Sequence, residues 1–137
     1  VAIESQLEYR AAATRSRPES ANSHLELAEA SLELAVNPQT SKMLSRDYRT
    51  APKYTQLMFD DARRAARTAK KLGAKGWRVD SILAICDYYL GDTERAHQRA
   101  EIAVREVPKG DTGWNSMAVL GIFAEARMQA KIGRAHV

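Results

Sequence analysis

Residues 77–110 read WRVDSILAICDYYLGDTERAHQRAEIAVREVPKG, and this stretch decides the fold. Before the Gly91-Asp92 break, Val79, Ile82, Leu83, Cys86 and Leu90 recur at helical spacing. After it, Ala96, Ala100, Ala103 and Val107 do the same. The pattern predicts a hairpin of two helices, 77–90 and 93–107. Asp92 or Thr93 can cap the second helix, and Glu94 suits its positive end. Alanines make the packing face of that helix, so a neighbour can approach to the short end of the usual ~8–10 Å range. Two short amphipathic helices cannot bury their faces alone. The hairpin therefore predicts further helices on either side of it.

Outward from this stretch the chain stays helical. Residues 1–16 carry Ile3, Leu7, Ala11 and Thr14 on one face, until Arg17-Pro18 ends the run. Pro18 suits the first turn of a helix over 19–36, with Leu25, Ala28, Leu32 and Ala35 on one stripe and Leu27 and Leu34 beside it. Asn37-Pro38 closes that helix. Met43, Leu44 and Tyr48 outline a short helix within 39–51, diluted by polar residues. Pro52 opens a longer helix, 53–72, built on Leu57, Met58, Ala62, Ala65, Ala66, Ala69 and Leu72. Gly73 and Gly76 stop it, with glycine available for a left-handed cap. After Pro108-Lys109-Gly110, Asp111 or Thr112 can cap a last helix, 114–132, ending before Gly133. Seven helices and no strand result.

A period emerges when Ala96, Ala100 and Ala103 are stepped back by 34 residues. They fall on Ala62, Ala66 and Ala69, and then on Ala28, Leu32 and Ala35. The forward step from Ala96 reaches Ala130, and Pro18 and Pro52 are also 34 apart. Three rows of small or apolar residues in phase point to tandem repetition.

Thirty-four residues is the length of the tetratricopeptide repeat, and the chain resembles that family. Residues 77–110 match at Leu83-Ala84, at the Gly91-Asp92 turn, at Ala96 and Ala103, and at Pro108. They depart with Asp80 at the tryptophan position, Asp87 at the tyrosine and Ala100 at the large aromatic. Residues 111 onward supply Trp114 and Met117-Ala118, then depart with Gly121 at the tyrosine position. The last turn is open between this register and Ile132-Gly133-Arg134. The resemblance implies an all-α, right-handed α-α superhelix of helical hairpins, in one domain over 1–137 with units 9–42, 43–76, 77–110 and 111–137. Pro18 and Pro52 fall inside first helices of a strict register, which predicts short or broken helices there.

The resemblance also implies a function: non-catalytic binding of a protein or peptide along the concave wall formed by first helices. Family groove positions carry over to Arg78, Ser81, Ile85, Tyr88 and Tyr89 in one unit. In the next they carry over to Thr112, Asn115, Val119, Ile122 and Phe123. The aromatic and aliphatic mixture suits an extended or helical peptide with apolar side chains. Inter-hairpin packing is the competing role for each of them. Some family members hold a terminal carboxylate with lysine and asparagine; Ser81 and Ile85 stand in those places, so no such clamp is expected.

Composition narrows the chemistry. Cys86 is the single cysteine, so no internal disulfide forms, and its apolar neighbours predict a buried core residue. His24, His97 and His136 form no metal-spaced pair. Cys86 and His97 could meet across the hairpin as a thiol–imidazole pair, but a core cysteine and a surface histidine account for both. Asp47, Asp60 and Asp61 read as capping and surface charges. No enzyme activity, metal or cofactor is expected.

The formal charge of +4 gathers partly in Arg63, Arg64, Arg67, Lys70, Lys71 and Lys75. That 63–75 face supports a second reading, an RNA-binding helical repeat. Aromatics do not interleave with it as base-stacking platforms would. A third reading is an interdomain or dimerisation module, with the apolar C-terminal helix pairing in a homodimer. The longest apolar run, 117–124, is too short to span a membrane. The missing initial methionine and the helical pattern at the terminus predict a piece of a longer chain. Unpaired cysteine usage suits the cytoplasm.

Overall fold

A computed structural model describes residues 3–36 and 51–135. Among the described residues the protein has six helices and no strand. They are α1 (Ile3–Ser16), α2 (Ala21–Val36), α3 (Ala51–Lys71), α4 (Trp77–Tyr89), α5 (Thr93–Ala103) and α6 (Trp114–Ala135). The short helix expected within 39–51 lies outside the described residues, apart from Ala51, which opens α3. The chain divides into two compact units, residues 1–74 and 75–137.

In the first unit α2 packs against both α1 and α3. Its buried set is accordingly wider than one stripe, adding Ala30, Ser31 and Leu34 to Leu25, Ala28, Leu32 and Ala35. Pro18 does not sit in the first turn of α2, as the sequence suggested; it lies in the preceding turn. Ser20 sets the start instead, because its Oγ accepts the Ser23 N–H at 3.2 Å and satisfies one of the orphan donors of the first turn. The Pro18 carbonyl lies 2.8 Å from His24 Nε2. Arg10 Nη1 meets Glu26 Oε2 at 2.6 Å between α1 and α2. Both side chains are about one-third exposed, so the pair contributes at most ~1 kcal/mol.

Pro52 lies in the first turn of α3, where its missing N–H is harmless. The buried side of this helix is Phe59, Ala62, Ala65, Ala66 and Ala69. Two expected core residues are exposed, Leu57 at 56% and Leu72 at 41%. The packing stripe runs 59–62–66–69, and Leu57, two residues before Phe59, points to the opposite side. Gly73, at φ 106°, stops the helix. The Ala74 N–H donates to the Ala69 carbonyl at 2.9 Å and the Gly73 N–H to Lys70 at 3.1 Å, the paired bonds of a left-handed glycine cap.

The second unit repeats that device. Gly91 has φ 89°, Asp92 N–H donates to Asp87 O at 2.8 Å, and Gly91 N–H donates to Tyr88 O at 3.2 Å. The reversal folds α5 back onto α4, and α6 packs against both. α4 is buried through Val79 and the whole of 81–87, α5 through Ala96, Ala100 and Ala103, and α6 through Ser116, Val119 and Ile122.

Three boundaries differ from expectation. α5 ends at Ala103, not at 107. There the N–H groups of Arg105 and Glu106 turn to carbonyls three residues back, at 3.4 and 3.1 Å, and Pro108 disfavours helix at Val107. Asp92 occupies the cap position of α5 but makes no side-chain cap bond. α6 passes through Gly133 to Ala135 without a break, so no turn interrupts the last unit. Before α6, Asp111 rather than Thr112 shapes the entry: its Oδ1 accepts the Gly113 N–H at 2.7 Å.

The nine residues of the 34-residue rows are all buried. Ala28, Ala62 and Ala96 are fully enclosed; Leu32, Ala66 and Ala100 are at most 1% exposed; Ala35, Ala69 and Ala103 are at most 3%. Ala130 departs from the row and is exposed, since the outer half of α6 has left the packed interior.

Candidate functional site

The ten expected groove residues separate by burial. Ser81, Ile85 and Val119 are fully enclosed and Ile122 is 6% exposed. These four do not present a surface to a partner. Their helices carry them inward, because α4 is covered around most of its circumference and α6 turns 116, 119 and 122 inward. Ser81 Oγ donates to the Arg78 carbonyl at 3.0 Å, so its hydroxyl is used within its own helix. Arg78, Tyr89 and Thr112 are exposed, and Tyr88, Asn115 and Phe123 are half-buried.

Tyr88 and Tyr89 come together with α6. Their rings stand edge to face, with centroids 5.7 Å apart and planes at 88°. With Ala118, Gly121 and Ile122 they line a hollow of about 160 Å³ between α4 and α6. The floor is low because Gly121 has no side chain: a Cβ built there meets nothing within 4 Å. Ala118 and Gly121 were not expected to belong to the site. Gly121 lacks a side chain, and its effect is to leave space beside the two tyrosines, between α4 and α6.

Glu125 lies one turn beyond Gly121 on α6, and its carboxylate meets the Tyr88 hydroxyl. Tyr88 Oη donates to Glu125 Oε1 at 3.2 Å, and His97 Nε2 lies 3.2 Å from Glu125 Oε2. One residue from each of α4, α5 and α6 thus meets at a single carboxylate. The nearby negative charge of Glu125 raises the Tyr88 phenol above its ordinary value of 10.0; burial and the hydrogen bond to Glu125 act in the same direction. Glu125 keeps 37% of its side chain exposed. A carboxylate offers about four acceptor positions, so two protein contacts leave room for a further donor.

Phe123 belongs to a different surface. It lines an open hollow of about 350 Å³ with Glu101, Ala126, Arg127, Ala130 and Arg134, between α5 and α6. The Arg127 guanidinium lies 5.7 Å from the Phe123 ring centroid. The structure does not bring Phe123 into the tyrosine hollow. The outer side of α6 exposes Trp114, Met117, Leu120 and Met128.

The basic face of α3 is partly neutralised from within. Arg63 meets Asp60 at 3.3 Å, and Arg64 meets Asp60 and Asp61 at 2.9 Å each. Cys86 is buried and forms no disulfide. Among the described residues no group of three or more His, Cys, Asp or Glu is arranged to hold a metal ion, and no helix is long and apolar enough to cross a membrane.

No family model matches the chain, and neither a curated protein nor a solved structure matches it.

Proposed function

We propose that the chain is a non-catalytic, peptide- or protein-binding module of tandem helical hairpins, similar to tetratricopeptide repeats and winding in the same right-handed sense. Several features support this reading. The rows 28/62/96, 32/66/100 and 35/69/103 are enclosed at one interval. Gly73 and Gly91 end successive helices with the same bonds. α6 lies against both helices of the hairpin before it, as the first helix of a following repeat does.

The observation that carries the binding role is the hollow between α4 and α6, with Tyr88 and Tyr89 on its wall. Tyrosine is enriched where proteins meet partners, since it covers apolar area and offers a hydroxyl with few rotors to immobilise. Of the groove positions, Tyr88, Tyr89, Arg78, Thr112 and Asn115 remain as its contact residues.

The test is selection from a displayed random-peptide library on the immobilised protein, repeated with Tyr89→Ala. Tyr89 is 50% exposed, so its truncation leaves the core intact. Enrichment that Tyr89→Ala removes is the expected result. No enrichment, together with binding to a single-stranded oligouridine that weakens steeply with salt, would transfer the function to the basic face of α3.

A further inference from the structure

We propose that the tyrosine hollow selects a lysine or arginine side chain of the bound peptide. The inference rests on the peptide-binding reading above. Tyr88 links the hollow to Glu125, because its ring lines the hollow while its hydroxyl ends on the Glu125 carboxylate. A long aliphatic stem fits over the Tyr88 and Tyr89 rings and the small Ala118–Gly121 floor. Its cationic head then reaches the exposed part of Glu125.

Three physical terms act together at this place. Apolar stem methylenes replace water against the aromatic wall. A tyrosine π face attracts a cation lying over it. The carboxylate supplies the opposite charge, already oriented by Tyr88 and His97 at 3.2 Å each. A norleucine side chain would gain only the first term. A glutamate would meet Glu125 as a like charge. The second unit as a whole opposes a cationic ligand only weakly: residues 75–137 hold nine Lys or Arg against eight Asp or Glu, so most of the formal +4 lies elsewhere.

The experiment extends the library selection. Peptides enriched on the wild-type protein are synthesised with the recurrent residue as lysine, arginine, norleucine or glutamate, and their affinities are measured by calorimetry. The expected result is recurrent lysine or arginine at one position, with about tenfold weaker binding of the norleucine form. Glu125→Gln, nearly isosteric, should remove most of that tenfold difference, leaving only the contribution of the rings, with the norleucine affinity unchanged. Gly121→Leu, which fills the hollow and leaves the carboxylate, should weaken all forms. Enriched peptides without a recurrent cation, or a lysine preference undiminished by Glu125→Gln, would overturn the inference and leave peptide binding in place. Absence of any enrichment would remove both.

Discussion

Asp87 Oδ2 lies 2.9 Å from Arg99 Nε, and no part of the Asp87 side chain reaches solvent. The contact joins α4 to α5 across the glycine turn. The two atoms pair by proximity rather than by an aligned hydrogen bond. Removing Arg99 takes a counter-ion away from an enclosed carboxylate where water cannot replace it. Arg99→Met is therefore expected to destabilise the second unit by about 3 kcal/mol. Adding Asp87→Leu should recover most of that loss, since an apolar pair needs no counter-ion. Urea denaturation of the two single variants and the double variant measures the coupling. Equal losses that simply add would show that the pair contributes nothing as a pair.

The Tyr88 phenol responds to the charge on Glu125. Its pKa lies above the ordinary 10.0, so the folded protein holds that proton more tightly than the unfolded chain does. The stability linked to Tyr88 is fully present below about pH 10 and is lost as pH rises through the raised folded value. Glu125→Gln removes the largest cause and should bring the Tyr88 titration down towards 10. The ring carbon shift of Tyr88, followed by NMR through the alkaline range, reads this directly. An unchanged midpoint in the variant would mean that Glu125 is not the source.

Much of the fold was legible in the chain because helical periodicity and glycine chemistry are local. Gly73 and Gly91 mark two helix ends correctly, and Pro52 marks a start. What the sequence obscured were choices settled by neighbours. Pro18 looked like a helix opener, but Ser20 offered the acceptor that the first turn needed. Leu57 looked like core, yet Phe59 holds the packed side of α3. The surface was harder to read than the core. Ser81, Ile85 and Val119 share a helix face with exposed positions, and only the packing of other helices decides which of them are covered. Glu125 and His97, 28 residues apart, gave no local signal of their meeting.

The glycine stop of α4 has a measurable conformational value. Gly91 sits at φ 89°, and a Cβ there meets no atom within 4 Å. Gly91→Ala therefore introduces no clash, and its cost is that of placing an L side chain in the left-handed region, about 1–2 kcal/mol. Thermal unfolding should show a lower midpoint with unchanged helicity. Gly91→Asn should cost less, because a short amide side chain tolerates this conformation better.

Gly121 should respond in the opposite sense. It lies within α6, where glycine is worse than alanine by about 0.8–1.0 kcal/mol, and open space surrounds the added methyl. Gly121→Ala is expected to raise stability by about that amount while raising the floor of the tyrosine hollow. Gly121→Tyr places a large aromatic ring at this position and should close the hollow. If the hollow takes a peptide side chain, the alanine variant is more stable and binds more weakly, and the tyrosine variant loses the enriched peptides while remaining folded. Calorimetric unfolding and peptide titration on the same preparations separate the two effects. A gain in stability with undiminished binding would show that the peptide does not enter the hollow between α4 and α6.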